Sequence, residues 1–291
     1  MAKPQKGKVN QFKLGKKQAK FDDRTLRFTK YRLVKKLPAV IPPTDDHYSK
    51  IPNWPMMGND QYGDCVLASS GHIIQDWTTY ASTPKYPTDS QVISLYLKLS
   101  PRDEGLVMLD TLNLWRQSGL WNVDDKIFAY VALDPKDITQ AKEAIYLFGN
   151  IHIGMSLPDN NTFGPWDAVQ GPPNPYNGHA VCLVGYDDKG FWAVSWGQLM
   201  HVSWAWYTKY CDESYAILSD DWLTSSGKTI DGFDFETLKT DLNEITGAVT
   251  PPPDPQPEPP PTPPTNIGIY IFWAVVGLGV LLLIAKLLNV F

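Results

Sequence analysis

The chain has 291 residues, of which 43% are hydrophobic and 12% are aromatic. This composition excludes a mainly disordered chain and suffices for one sizeable core, so one globular domain with appendages is expected. The net charge of −5 is unevenly distributed, because residues 1–36 contain thirteen Lys and Arg but only two acidic residues, a local charge of +11. The two ends of the chain are therefore expected to have different partners.

The basic N-terminal arm, residues 1–36, is open to two interpretations. Its charge suits anionic lipid head groups or nucleic acid. Leu26, Phe28, Tyr31 and Leu33 interrupt the charges, so packing of part of the arm on the domain is the alternative. The basic start is not followed by an apolar run of signal-peptide length, so export by the usual route is not expected.

Residues 37–248 have a globular composition, and their pattern predicts a helical first half followed by a strand-rich second half. The predicted helices lie at 65–80, 106–118 and 138–148. The predicted strands lie at 151–157, 180–186 and 191–195. This order of elements indicates an α+β fold with two lobes.

The C-terminal end carries the clearest local signal. Residues 249–266 are mostly proline, which favours a semi-rigid polyproline II spacer. Residues 267–285 then form an uncharged apolar run of 19 residues, close to the ~20 that cross a bilayer as a helix. The sequence predicts a single-pass anchor within 267–291. The absence of a signal peptide favours a domain on the cytoplasmic side or in a virion membrane, although Lys286 argues weakly for the opposite orientation.

The three cysteines, Cys65, Cys182 and Cys211, are too few for a disulfide framework, and their spacing matches no zinc-ligand pattern. A reducing compartment is the simplest interpretation, and no metal or cofactor is expected. Cys182 alternates with apolar residues in a predicted strand and is expected in the core. His72 and His152 are expected to be packed histidines.

Cys65 opens a predicted helix directly after a turn-like Gly63-Asp64. A helix N-terminus presents free N–H groups and a partial positive charge, which lower a thiol pKa and favour the nucleophilic thiolate. Gln61 lies four residues upstream and can supply an amide N–H to an oxyanion hole. His179 begins a predicted strand, and the following strand leads to Ser195, which can orient the imidazole.

These segments resemble papain-like cysteine peptidases, in which a Gln precedes a Cys at a helix start, followed by a Gly-His-Ala-Val strand and an Asn-Ser-Trp-Gly. The matching pieces here are Gln61, Cys65, GHAVCLVGY at 178–186 and SWG at 195–197. The resemblance implies a papain-like two-lobe fold, in which a helical lobe carrying Cys65 faces a β-barrel lobe carrying the histidine.

By the same resemblance, Cys65 is the nucleophile, His179 the base and Gln61 the oxyanion donor, while Trp196 shields the histidine's orienting hydrogen bond. The usual orienting Asn is absent. Its place falls on Val194 or Ser195, and strand alternation favours Ser195 as the residue that faces the histidine.

The sequence therefore favours a membrane-tethered cysteine peptidase or amidase acting on a peptide or protein substrate. Two alternatives stay open. One is a catalytically inactive papain-fold binding or structural protein, for instance of a virus or phage particle, and the other is a transglutaminase-like or acyltransferase use of the same pair. Asp212 and Glu213 are adjacent, so they are not expected to face a common point and are interpreted as surface or local salt-bridge groups.

Overall fold

The protein is described from a computed structural model, which covers residues 12–30, 40–121, 125–160, 164–231, 236–237 and 240. The predicted proline-rich linker at 249–266 and the predicted anchor within 267–291 lie outside these residues. Within them, no helix is both long enough and apolar enough to cross a bilayer.

The described part of the chain is a mixture of helices and one antiparallel sheet. The helices are α1 (Cys65–Ala81), α2 (Asp89–Leu99), α3 (Met108–Ser118), α4 (Ile138–Phe148) and α5 (Trp204–Tyr210). The strands are β1 (Asp45–Asp46), β2 (Ala129–Ala132), β3 (Ile151–Ser156), β4 (Gly178–Tyr186), β5 (Gly190–Ser195), β6 (Gln198–Ser203) and β7 (Cys211–Leu218), followed by a 3₁₀ turn at Asp220–Trp222. The predicted α+β class is confirmed.

The predicted helices α1, α3 and α4 form within two residues of their expected starts. The Asp137 carboxylate accepts the Gln140 N–H at 3.0 Å and caps α4. Gly149 ends that helix with a φ of 82°, and a Cβ there would meet the Trp222 ring at 2.9 Å. Helix α2 was not predicted from the sequence, although a capping box of Thr88 and Gln91 marks its start.

The sheet has the strand order β2-β7-β3-β4-β5-β6, with β1 paired to the end of β4. All nine residues of β4 are buried. Its register places His179 opposite Met155 of β3 and Cys182 opposite Val194 of β5. The three predicted strands are therefore neighbours in the sheet, and the candidate histidine is the second residue of β4.

Two hydrophobic cores lie on the two faces of β4. Val181 and Leu183 belong to the core that includes α4 and Trp196. Ala180 and Cys182 belong to the core that contains α1. Because successive side chains of a strand point to opposite faces, a single strand joins both cores. The prediction that Cys182 is a core residue is confirmed, since it is fully buried.

Part of the basic arm packs on the domain. Phe28 is fully buried, and Leu14 and Leu26 pack against the core around it. Lys16, in spite of its charge, is only 5% exposed. The packing interpretation of the arm is therefore confirmed for these residues, while binding of lipid or nucleic acid by the arm stays a prediction.

Candidate active site

Helix α1 begins at Cys65, as predicted, and 1% of this residue is exposed. Burial raises the pKa of Cys65 to about 11, although backbone hydrogen bonds from Ala180 and Gly15 act in the opposite direction. The helix N-terminus predicts a lowered pKa, and the loss of hydration outweighs that effect here. In this structure the thiol is therefore neutral.

The imidazole of His179 lies in a cage of indoles with one polar partner. Its Nε2 is 2.8 Å from the Ser195 hydroxyl oxygen. The Trp196 ring stacks on it at 4.2 Å between centroids, and Trp166 meets it edge-on at 6.2 Å. Val194 lies in the core on the other face of the sheet. The hydrogen bond that strand alternation predicts for Ser195 is thus present.

The second imidazole nitrogen, Nδ1, is buried and forms no hydrogen bond with the described residues. Burial lowers the pKa of His179 to about 3, because no carboxylate offsets the loss of hydration. The Cys65 sulfur lies against the backbone of Ala180, the residue that follows this histidine. Within the described part of the chain, however, no hydrogen bond joins thiol and imidazole, and their catalytic pairing stays a prediction.

The turn before α1 contains a polar pair, Asn59 and Asp64, that was not predicted from the sequence. Asn59 Nδ2 donates to Asp64 Oδ1 at 3.1 Å, and burial raises the pKa of Asp64 to about 8. The position of Asp64 directly before the predicted helix, at the N-cap of α1, could have drawn attention to this residue. Gln61, the predicted oxyanion donor, is exposed in this turn, and its backbone N–H donates to the Gly58 carbonyl at 2.9 Å.

A short extended segment of the arm crosses the site. The Lys16 N–H donates to the Gly178 carbonyl at 3.0 Å, directly before the candidate histidine. The Lys17 N–H donates to the Leu106 carbonyl at 2.8 Å, and the Leu106 N–H donates to the Gly15 carbonyl at 2.8 Å. The arm therefore pairs with both sides of the site, at the approach to α3 and at the start of β4.

Gly15 packs on the turn before the thiol. Its backbone lies close enough to the Cys65 sulfur to act toward a lower pKa of that group, and a Cβ at this position would overlap the carbonyl of Gly63. A Cβ at Gly105, on the opposite side, would in turn overlap the Gly15 carbonyl. Only glycine permits so close an approach of two backbones, and the arm thereby shields the thiol from solvent.

Solved structures resemble this architecture. Xylellain, a cysteine protease from Xylella fastidiosa, superposes with a TM-score of 0.55 at 15% sequence identity, covering 75% of this chain and 99% of that chain. The fold is papain-like. A procathepsin B from Trypanosoma congolense matches at a TM-score of 0.49 and 13% identity, over 70% of this chain and 86% of that one. No protein-family model matches the sequence, and no curated protein does.

Within this papain-like domain, the side chain of Lys16 fills a pocket beside the point where the arm pairs with the start of β4. Its Nζ lies 2.9 Å from both Asp212 Oδ1 and Glu213 Oε1, and the side chain is 1% exposed. Burial by itself lowers the pKa of Lys16, but the two carboxylates raise it overall. Gly154 leaves room for the aliphatic stem, since a Cβ there would lie 2.6 Å from Lys16 Cδ.

The interpretation of Asp212 and Glu213 as groups that face no common point is wrong. The pairing of β3 with β7 shifts register between Gly154 and Met155, so that Cys211 and Glu213 are paired and Asp212 is skipped. Such a bulge bends the strand and re-aims the extra residue. Two adjacent carboxylates therefore converge on one ammonium group, which strand alternation alone forbids.

The two packed histidines are where the sequence predicts them. His72 Nε2 is 2.8 Å from the Pro55 carbonyl oxygen, and His152 Nε2 is 2.6 Å from the Ser69 hydroxyl. Burial lowers the pKa of His72 to about 4 and that of His152 to about 3. Both are neutral core residues, distinct from the histidine beside the covered thiol.

Proposed function

We propose that the chain is a membrane-tethered cysteine peptidase or amidase that cleaves peptide-type bonds. The observation that carries the proposal is the hydrogen bond between His179 Nε2 and Ser195, shielded by Trp196, on a strand that contacts the Cys65 sulfur. An orienting group on one imidazole nitrogen leaves the other for the reaction, which is the arrangement that Cys–His catalysis needs.

The proposed reaction begins with transfer of the Cys65 proton to His179 Nδ1, the nitrogen without a hydrogen bond in this structure. The thiolate attacks the carbonyl carbon, and the oxyanion is stabilised by the backbone N–H of Cys65 and by the Gln61 amide. The imidazolium then protonates the leaving amine. Water hydrolyses the acyl-enzyme, with His179 as base, and restores the thiol.

In this proposal, the N-terminal arm keeps the enzyme closed. Burial holds thiol and imidazole neutral, and the arm occupies the space through which a peptide would approach. Withdrawal of the arm admits water to both groups, which favours their charged forms and hence the thiolate–imidazolium pair. Activity is therefore expected only after the arm leaves.

The pocket that holds Lys16 also suggests a substrate preference. Asp212 and Glu213 lie within hydrogen-bond distance of its ammonium group, and Glu213 is buried whereas Asp212 is partly exposed. Once vacated, this pocket favours a basic side chain of a peptide, because charge-assisted hydrogen bonds of roughly 1.5–3 kcal/mol replace the lysine's own. In an opened enzyme, Glu213→Gln should reduce the preference for a lysine-containing peptide over its leucine analogue by ~10-fold or more.

The decisive experiment is alkylation of the full chain by iodoacetamide at pH 6 and pH 8.5. Gly15→Ala, which cannot seat the arm, should react at Cys65 at least ~10-fold faster than the wild type, the equivalent of ~1.4 kcal/mol. Gly171→Ala, a glycine without an overlapping neighbour, is the matched control. His179→Gln in the opened background should abolish the reaction at pH 6 but not at pH 8.5, and Cys65→Ala identifies the labelled thiol.

One observation favours a second function, that of an inactive binding or structural module. The thiol and the imidazole share no hydrogen bond in this structure, and each is 1% exposed. If the opened chain reacts only as an ordinary thiol, with no dependence on the histidine, the peptidase proposal fails and this alternative stands.

The membrane tether is a separate part of the proposal and rests on residues 267–285. The full chain should partition into detergent or vesicles, whereas replacement of three apolar residues in this run by lysine should release it. Equal partitioning of the two chains would refute the anchor and leave the catalytic proposal untouched.

A further inference from the structure

A second constellation of side chains lies away from the thiol, where the start of the domain meets its end. Asp45, His47 and Asp231 each offer one ligand atom, and the three atoms lie within 4.8 Å of one another. His47 Nε2 is 3.1 Å from Asp45 Oδ1 and 4.0 Å from Asp231 Oδ2. These three residues are called the aspartate–histidine cluster below.

The polar atoms of the cluster are buried and unsatisfied. The His47 side chain is 3% exposed, and its Nε2 has the ion-pair contact with Asp45 at 3.1 Å, whereas its Nδ1 has no hydrogen-bond partner among the described residues. Asp45 Oδ2 and Asp231 Oδ2 are buried and likewise lack a hydrogen-bond partner there. Buried donors and acceptors in a folded protein are normally paired with protein, water or an ion.

A third carboxyl group lies near the same imidazole. Asp76 is fully buried, interacts electrostatically with His47 and accepts a hydrogen bond from Asn150 Nδ2 at 2.7 Å. Among the described residues, no Lys or Arg forms an ion pair with Asp45, Asp76 or Asp231. Several carboxylates around one imidazole are the surroundings in which a divalent cation is stabilised.

The cluster joins distant parts of the chain. Asp45 belongs to β1, which pairs with the end of β4, and the His47 N–H donates to the Val184 carbonyl at 3.0 Å. Asp231 follows the hairpin-like bridge between Leu223 and Thr229. An ion held here would fasten the C-terminal segment of the domain to β1.

We propose that Asp45, His47 and Asp231 bind one divalent transition-metal ion of the Zn²⁺ class. One imidazole nitrogen and two carboxylate oxygens suit Zn²⁺, with water in the fourth position. Ca²⁺ requires six to eight oxygen ligands, more than the cluster supplies. This site is independent of the peptidase proposal, because it shares no residue with the thiol, His179 or the arm.

The test is titration of the chelator-treated full chain with ZnCl₂ and, separately, with CaCl₂ by calorimetry, with the unfolding temperature as second readout. One Zn²⁺ per chain should bind and raise the unfolding temperature, and Ca²⁺ should do neither. His47→Asn and, as the isosteric variant, Asp231→Asn should each weaken Zn²⁺ binding by more than the ~10- to 100-fold that loss of an outer-shell partner costs.

The matched control is His201→Asn, because His201 also lies between two carboxylates, Asp167 and Asp187, but outside the cluster. This variant should bind Zn²⁺ as the wild type does. Unchanged affinity in both His47→Asn and Asp231→Asn, loss of binding in His201→Asn, or preferential binding of Ca²⁺ would each overturn the proposal.

Discussion

Two histidines, His179 and His47, are equally buried but lie in opposite electrostatic surroundings. The ring of His179 is enclosed by indoles and one hydroxyl, and burial lowers its pKa to about 3. Burial alone would lower the pKa of His47 as well, but the carboxylates of Asp45, Asp76 and Asp231 raise it. The neighbours, rather than the depth of burial, therefore decide the charge of a buried imidazole.

The largest expected difference between the two regions is in stability. His47→Leu leaves buried carboxylates without their cation and should lower the free energy of unfolding by about 3–5 kcal/mol. His179→Leu removes a neutral ring and one hydrogen bond and should cost about 1–2 kcal/mol. Urea unfolding at pH 7, with a chelator present throughout, measures both. Equal losses would contradict the electrostatic distinction.

The pH dependence of stability sharpens the comparison. The pKa of His179 is about 3 in the folded chain and roughly 6.5 when unfolded. Between these values the unfolded chain binds more protons, so the stability that the neutral ring contributes falls as the pH drops from 6.5 to 3.

The expected slope is about 1.4 kcal/mol per pH unit. Between pH 7 and pH 5, the free energy of unfolding measured in urea should fall by roughly 2 kcal/mol less in His179→Leu than in the wild type. His201→Leu, at a more accessible position, serves as control. An unchanged pH profile in His179→Leu would show that this imidazole is hydrated in solution.

The smallest expected effect concerns the hydroxyl that distinguishes the His179 cage from a purely apolar one. Ser195→Val removes the Nε2 contact and should lower the reactivity of the opened thiol by ~10-fold, on the scale of one hydrogen bond of roughly 1.4 kcal/mol. Ser195→Asn should keep or raise it. Alkylation kinetics in the Gly15→Ala background measure both variants, and identical rates would mean that the ring is oriented by other contacts.

The sequence predicted the elements that carry the site because each has a local signature. Cys65 follows a turn at a helix start, and the alternation around Ser195 and Val194 selects the residue that faces the histidine. Helix α2 was missed although its capping box is legible. The cluster of Asp45, His47 and Asp231 could not be found, since Asp231 is separated from the other two by almost the whole domain and the three match no metal-ligand spacing.

What the sequence by itself determined is the α+β class, the order of the papain-like segments and the orienting role open to Ser195, all of which depend on periodicity and neighbouring residues. The tertiary structure alone decided the ionisation of these groups. It brought the backbone of Gly15 close to the Cys65 thiol and joined Lys16 to two carboxylates at a bulge in the sheet. It also left the imidazole of His179 without a charged neighbour. Burial and long-range contacts set the cost of a charge, and neither is encoded in any local stretch of the chain.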